Sequence, residues 1–579
     1  MKNITWILLI ALLFAGCEEY LDKVPDSDGM TEEQVFTDYL NFKKFQDRMY
    51  KDMHDYLADY DYSFIAAVCD EGTTSCRWET LPVVQNGDWL RSYSLAQALQ
   101  FSTPWRAWES IRIANMSLQR LSVLENASAQ QKDELKGQAH FMRAWYYYEF
   151  LRRQGGMPYL TRPLIASDNF AIPRLSFEET ARMIAADCDT AFSLLPVKWN
   201  NNNYGRPTKG AALAVKASTF LFNASPSNNP SNDPAKWEEA AQAAWDLIQF
   251  SEENSAYKLE PCQSTDNVSY MTPEGVKTIE FTGGYDSIFN HVPFNDEIIW
   301  EFASQMQNGG RYTTFSTTNL VTGGIIQGYS PSQNMVDLFE TANGLSIADD
   351  PAFDEQNPYV NRDPRFYHCI LFNRERWTSK TDYYLSLYNG GEERQALDHF
   401  SKTGYLARKF WVNNIDQWSD AAHPISHCIY FRYAEVLMWY AEACNELGGP
   451  NHTLSGANLS ALDAVNRVRS RVGMPGVDAR YLADKNSFRE RIKNERAIEF
   501  FLEGKRFFDL SRWGDASKVV HKEIYGINIL EDATKPTGYV FNRSTEPIVS
   551  LTFDQKHYKW PIPLADATMF EEVKQNPGW

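Results

Sequence analysis

Five side chains in one segment have the chemistry of sugar recognition. Arg77 and Trp78, then Asn86, Asp88 and Trp89, fall between Tyr56 and Arg91, a stretch without helical period and rich in Asp, Gly and Asn. A sugar ring presents an apolar face of C–H groups and a rim of hydroxyls. Its counterpart is a flat, exposed aromatic flanked by planar hydrogen-bonding groups, and this segment supplies both. A loop this long inside a compact domain is usually functional. Each Trp could equally serve the core, so exposure decides: an open ring is a platform, a buried one is packing.

A second chemistry stands at the N-terminus. Lys2 precedes the apolar run Ile4 to Phe14, which ends in Leu13-Phe14-Ala15-Gly16-Cys17. The run is too short to span a bilayer comfortably and reads as a signal peptide. Its ending looks like a bacterial lipobox with cleavage before Cys17. Acyl chains on Cys17 would anchor the protein in lipid, at roughly 0.8 kcal/mol per buried methylene.

Catalysis finds little support. The sequence holds no H-E-x-x-H, G-x-S-x-G, phosphate-binding loop or dinucleotide fingerprint. His423 and His427 flank Pro424, which denies them a shared helical face. With 75 acidic residues, carboxylate pairs for glycoside hydrolysis are decided only in space. Asp26-Ser27-Asp28-Gly29 hints at a calcium loop, but Val24 and Val35 fall at the first and last ligand positions of that template. No cofactor is expected, and structural calcium has no motif behind it.

A net charge of −19 argues against nucleic acid, which demands a basic stripe. Apart from Cys17, the cysteines are scattered and odd in number, which is no disulfide framework. Cys69 and Cys76 could bridge the loop between them; the rest read as small buried side chains.

The elements that must position these residues are helical. At 579 residues, 43% hydrophobic and 14% aromatic, the chain can build a large globular body. Apolar residues recur at three-to-four spacing in Thr31–Asp55, from Thr103, and in Ala129–Arg153, Ser176–Leu195, Lys209–Ala224 and Lys236–Gln249. The pattern returns in Tyr430–Leu447, Ser460–Val472 and Ser487–Glu503. Small residues alternate with large ones, as in stacked helix pairs. The spacing is irregular and the tetratricopeptide consensus incomplete, so the expected class is mostly α with TPR-like pairs. A loop-rich insertion, about 253–426, carries short strands at Glu297–Phe302 and Tyr405–Phe410. In domain terms, residues 1–17 are the signal segment and 18–579 a single domain, with scaffold at about 31–252 and 427–520.

Asn494–Trp513 organises the rest. It reads as a helix, a left-handed turn at Gly504 and a short second helix from Arg506. Glu495, Glu499, Glu503, Arg496, Arg506 and Arg512 are interleaved with so much apolar surface that some must be buried, which predicts Glu–Arg pairs. The order N-E-R-x-x-E…E-G-x-R-x-F-D-L-x-R-W resembles the C-terminal signature of the SusD/RagB family. So do N-D-E-I-I-W-E, P-S-Q-N-M-V-D-L-F-E, N-R-D-P-R-F, T-G-Y-L-A-R-K-F and the ending from Trp560 to Trp579, all in the family's order.

The resemblance implies a surface lipoprotein of the outer membrane. It would bind oligosaccharide and deliver it to a SusC-like, TonB-dependent transporter. It implies further ligand-stacking aromatics in the insertion, for which Tyr312 and Phe315 are the candidates. Two alternatives remain: peptide capture, as in RagB-like members, and a structural lid whose barrel does all the recognition. Trp105, Trp108, Trp145, Trp513 and Trp560 are assigned to structure.

Overall fold

The computed structural model describes residues 31–54, 65–74, 80–92, 107–289, 295–302, 329–377, 382–395, 400–410, 428–570 and 572–579. Cys17, Cys76, Arg77, Trp78, Trp105, Tyr312 and Phe315 lie outside them.

Where one helix was expected from Thr31 to Asp55, the chain forms α1 (Glu32–Thr37) and α2 (Tyr39–Asp47), then a 3-10 turn. Asp38 is the break. Its backbone is extended and its carboxylate accepts from the Asn41 N–H at 2.9 Å, capping α2. Thr31 caps α1 in a reciprocal box with Gln34.

Then come α3 (Ala107–Arg120), α4 (Ala129–Gln154), α5 (Phe177–Leu194), α6 (Lys209–Ala224) and α7 (Pro234–Asn254), each packed on the next. Ser128 and Ser176 open α4 and α5 with capping boxes to Gln131 and Glu179. Close approach comes from small residues. A side chain on Gly137 of α4 would lie 3.0 Å from Leu195. α6 buries Ala211, Ala212, Ala214 and Ala217, so α5 and α7 press on it from both sides.

α7 packs directly on α8 (Tyr433–Gly448). The insertion is therefore spliced into a stack that continues beyond it through α9 (Ala461–Arg471) and α10 (Lys485–Glu499), both against α8. α10 stops at Glu499, short of the expected Glu503. Leu502 and Gly504 turn through left-handed backbone, with φ of 59° and 70°, and α11 (Arg506–Trp513) begins.

The insertion holds antiparallel strand pairs: β2 (Ser264–Thr272) with β3 (Gly275–Gly283), and β6 (Ile370–Leu371) with β7 (Leu406–Ala407). The expected strand at Tyr405–Phe410 contracts to β7. β1 (Gly72–Thr74) joins β5 (Tyr329–Pro331), and β4 (Ile298–Phe302) joins β8 (Cys428–Arg432). The last pair ties insertion to stack. Trp145 of α4 meets Trp300 of β4 and Tyr430 of β8 with ring centroids 4.8 and 4.7 Å apart. One aromatic core serves both parts.

Candidate functional site

The family-like strings converge on one buried ionic lattice. Glu499 accepts from Arg432 at 2.7 Å and Arg365 at 2.9 Å, and pairs with Arg471. Glu495 accepts from Arg365 and Arg469 at 2.6 and 2.8 Å. Glu503 accepts from Lys409 at 2.7 Å and from Arg432 at 2.8 Å. Glu297 takes Arg432 and Arg471 at 2.7 and 2.6 Å, and Glu340 takes Arg469 at 2.8 Å.

Every one of these side chains is buried. Burial alone would raise the Glu499 carboxyl, but Arg471, Arg432 and Arg365 override it and hold the group well below the usual carboxylate range. A second knot joins Arg512 to Asp509 at 2.9 Å and to Glu442 at 2.6 Å. The predicted Glu–Arg pairs form. They form a buried frame that joins α8, α9, α10 and the insertion.

That frame supports a small sheet. β1 and β5 pair antiparallel, Gly72 with Pro331 and Thr74 with Tyr329. The chain leaves β1 after Thr74 toward Arg77 and Trp78. It enters β5 at Tyr329 from the segment bearing Tyr312 and Phe315. Thr74 and Tyr329, far apart in sequence, thus lie side by side at one end of one sheet. Contact is tight here: a Cβ on Gly72 would lie 2.4 Å from the Ser330 carbonyl oxygen.

Beneath the sheet, Arg506 grips Asp70 with two bonds of 2.9 and 2.8 Å, and His521 Nδ1 lies 2.6 Å from the same carboxylate. Burial raises Asp70, yet Arg506 outweighs it and keeps the group strongly acidic. Neighbouring Glu71 accepts only the Leu502 N–H at 3.0 Å and a long contact from the Cys69 thiol among the hydrogen bonds of the described residues. Burial pushes Glu71 up to about 8, so it is neutral at pH 7. Cys69 is buried and free, its thiol pushed well up by burial.

The segment expected to be an open loop carries two one-turn helices, Thr80–Gln85 and Trp89–Ser92. Between them Gly87 takes left-handed backbone, φ 78°. Asn86 and Asp88 are exposed, and Asp88 accepts from the Arg91 N–H at 3.2 Å.

Trp89 is a correction. It is 3% exposed and no stacking platform. Its ring sits 4.7 Å from His557, 5.3 Å from Trp560 and 5.8 Å from Trp579, and its N–H donates to the Val84 carbonyl at 3.0 Å. The Gly87 turn drives it inward. His557 accepts the Asp554 N–H at Nδ1, 2.7 Å, and so donates from Nε2 to the Gly87 carbonyl at 3.0 Å. Trp89 fastens the turn that displays Asn86 and Asp88. Trp145, Trp513 and Trp560 are buried as expected, and Trp108 packs against Phe150 and Phe570 at 4.8 and 5.1 Å.

A cleft of about 330 Å³, not expected from the sequence, is walled by Trp199, Tyr204, Tyr257 and Trp300, with Asn254 and Asp296 among its polar lining. The signal was present. Trp199 to Arg206 reads W-N-N-N-N-Y-G-R, two aromatics interleaved with planar amides between α5 and α6. Three hydrogen bonds set this strap: Trp199 N–H to the Pro207 carbonyl at 2.7 Å, Trp300 N–H to the Gly205 carbonyl at 3.0 Å, and Thr208 with the Tyr257 hydroxyl at 2.9 Å.

Among the described residues no cluster of three His, Cys, Asp or Glu side chains could hold a metal ion. No described helix is long and apolar enough to cross a membrane.

Two family models match the chain: "SusD family" over residues 296–579 and "Starch-binding associating with outer membrane" over residues 19–221. A SusD-like protein, P25, of Formosa agariphila is 22% identical over 515 residues, covering 84% of this chain and 81% of its own. A solved SusD-like protein from Bacteroides fragilis superposes with a TM-score of 0.71 at 23% identity, over 95% of this chain and 99% of that one. A second, described as a SusD-like carbohydrate-binding protein from the same species, gives 0.68 at 20% identity, over 93% and 100%.

Proposed function

The chain belongs to the SusD/RagB family, and from that premise we propose that it captures oligosaccharide at the cell surface for a SusC-like, TonB-dependent transporter. The observation that supports this reading is the β1–β5 pairing, which sets Thr74, three residues before Arg77, beside Tyr329, where the chain returns from Tyr312 and Phe315. Aromatics and planar polar groups from both would then serve one ligand, with Asn86 and Asp88 on the neighbouring fastened turn. The relative described as carbohydrate-binding and the model described as starch-binding support the same class of ligand.

The work asked of the site is modest. Two or three ring stacks of about 1 kcal/mol each, with wet hydrogen bonds, give affinities in the millimolar to micromolar range. That suffices for a lid tethered over a channel, because tethering raises the effective ligand concentration. The model described as associating with the outer membrane fits a chain lipidated at Cys17 and held on that membrane. Residues 18–579 would act as one domain, without catalysis and without a cofactor.

The test is calorimetry on the chain from residue 18 onward, which keeps every described residue, against polysaccharides and peptides. One glycan class should bind without turnover, and Trp78→Ala should weaken it. Binding of peptides alone would move the reading to peptide capture. Binding of nothing would leave a structural lid. Replacing Cys17 by Ala should release the protein from the membrane fraction.

A further inference from the structure

The cleft behind the Trp199–Thr208 strap belongs to none of the elements invoked above. It is formed by the α5–α6 connection, the end of α7 and β4, whereas the proposed ligand loops root on β1 and β5. Its volume, about 330 Å³, lies at the small end of the range for ligand pockets and has room for a short saccharide.

Its walls have the two properties a sugar requires. Trp199, Tyr204 and Tyr257 are half-buried, so each keeps an open portion of ring on a fixed support, while Trp300 is buried behind them. The strap's hydrogen bonds hold the Trp199 indole, the Trp300 indole and the Tyr257 phenol at their polar tips. The half-buried Trp199 and Tyr257 are left with ring surface for C–H groups, whereas Trp300 is packed against Phe141, Trp145 and Tyr430. Binding would therefore lose little side-chain entropy, which is how a small site reaches useful affinity. Exposed Asn254 and Asp296 stand at the rim, suited to hydroxyls.

Of the charged side chains lining the cleft, which include Lys198 and Glu301, two have ion partners of known geometry. Arg206 is committed to Asp47 through two bonds of 2.7 Å and to Gln138 at 2.6 Å. Asp296 pairs with Lys258 at 3.0 Å. An acidic sugar would compete with these carboxylates for Arg206 and Lys258, and the chain's net charge of −19 would oppose its approach. An uncharged sugar needs neither.

We propose that this cleft is a second carbohydrate site, taking a neutral saccharide between Trp199, Tyr204 and Tyr257, separate from the site rooted on β1 and β5. Two sites on one chain would grip a polymer at two points and slow its escape between capture and hand-over. The inference goes beyond the proposed function and uses none of its ligand residues.

The experiment is calorimetry with maltohexaose, cellohexaose and hexagalacturonate, on the chain from residue 18 onward. Four proteins are compared: unaltered, Trp78→Ala, Ala256→Phe, and Trp78→Ala with Ala256→Phe. Ala256 lines the cleft and is half-buried, so Phe fills the space while every aromatic wall stays in place. Trp199→Ala serves as a second variant, and melting curves confirm that each protein is folded.

The expected result is that a neutral hexaose still binds the Trp78→Ala protein, that Ala256→Phe and Trp199→Ala each weaken this residual binding at least tenfold, and that hexagalacturonate does not bind there. Residual binding unmoved by both cleft variants would overturn the proposal. So would the absence of any residual binding, a preference for hexagalacturonate, or a cleft that takes peptide in place of sugar. Unchanged binding on Trp78→Ala would fail the β1–β5 reading, whereas residual binding that is absent or unmoved by the cleft variants would fail the cleft, so failure of one reading is distinguishable from failure of the other.

Discussion

Arg432 Nη1 lies 2.7 Å from Glu499 Oε1, and Arg432 Nη2 lies 2.8 Å from the Glu499 backbone carbonyl. The residue that opens α8 therefore holds both the side chain and the main chain at the end of α10. Burying an ion pair costs solvation that the pair only partly recovers, but breaking one leaves a bare charge in the core. Glu499→Ala would take one carboxylate from each of Arg365, Arg432 and Arg471 at once and leave excess positive charge in the core. The expected loss is about 3–5 kcal/mol in a denaturant titration. A loss of under about 1 kcal/mol, typical of an exposed pair, would show the lattice to be incidental.

The pH dependence has two parts of opposite sign. Glu495, Glu499 and Glu503 are raised by burial but lowered more by their Arg and Lys partners, from an ordinary value of 4.5. Their stabilisation is present above pH 4.5 and is lost as pH falls through the depressed folded values. Glu71 runs the other way. Raised to about 8 by burial, it contributes below pH 4.5 and loses that contribution as pH rises toward 8. Glu71→Gln keeps an acceptor for the Leu502 N–H and removes the titration. Melting temperatures from pH 4.5 to 8 should fall less steeply in the variant, while the acid limb is unchanged. Parallel curves would refute the assignment.

Trp89 and its neighbours should separate cleanly. Trp89→Ala removes a buried ring among His557, Trp560 and Trp579, at a cost of about 3–5 kcal/mol. Asn86→Ala and Asp88→Ala touch exposed side chains and should shift stability by no more than about 0.5 kcal/mol. If the turn contacts glycan, these two lower affinity while melting is unmoved. A Trp89→Ala protein that melts normally and merely binds less would restore Trp89 as a platform.

Gly72 controls the spacing of β1 and β5, from which the two proposed ligand segments depart. An added methyl would meet the Ser330 carbonyl oxygen at 2.4 Å and the Tyr329 hydroxyl at 2.8 Å, so Gly72→Ala must push β1 and β5 apart. Overpacking of this kind costs about 1–3 kcal/mol. Binding should suffer more than stability, because the roots of both segments move. Gly390 supplies the control: nothing lies within 4 Å of its added Cβ, so Gly390→Ala feels only its left-handed backbone, φ 89°. Equal effects on glycan affinity from the two substitutions would deny Gly72 any special part.

The helical stack was legible because helix formation is largely local. Lys209–Ala224 and Arg506–Trp513 have the expected bounds, and Ser176 caps α5 where the periodicity begins. Asp38 was misread because its role as a cap competes with a continuous apolar stripe, and the cap prevailed. The strap from Trp199 was missed because its aromatics are spaced like a loop, and only the α5–α6 connection folding against β4 turns them into a wall.

By itself the sequence determined the class, the helix pairs and the need for Glu–Arg pairing, since buried charge so close to apolar surface has few other resolutions. It also placed N-D-E-I-I-W-E, N-R-D-P-R-F and T-G-Y-L-A-R-K-F in their order. Only the tertiary structure decided that Glu297, Arg365 and Lys409 from those strings meet Glu495, Glu499 and Glu503 in one lattice. It decided too that Trp89 faces inward and that Thr74 pairs with Tyr329. Which side of a turn a ring occupies, and which distant strands pair, depend on contacts between residues hundreds of positions apart. Local spacing carries no record of them.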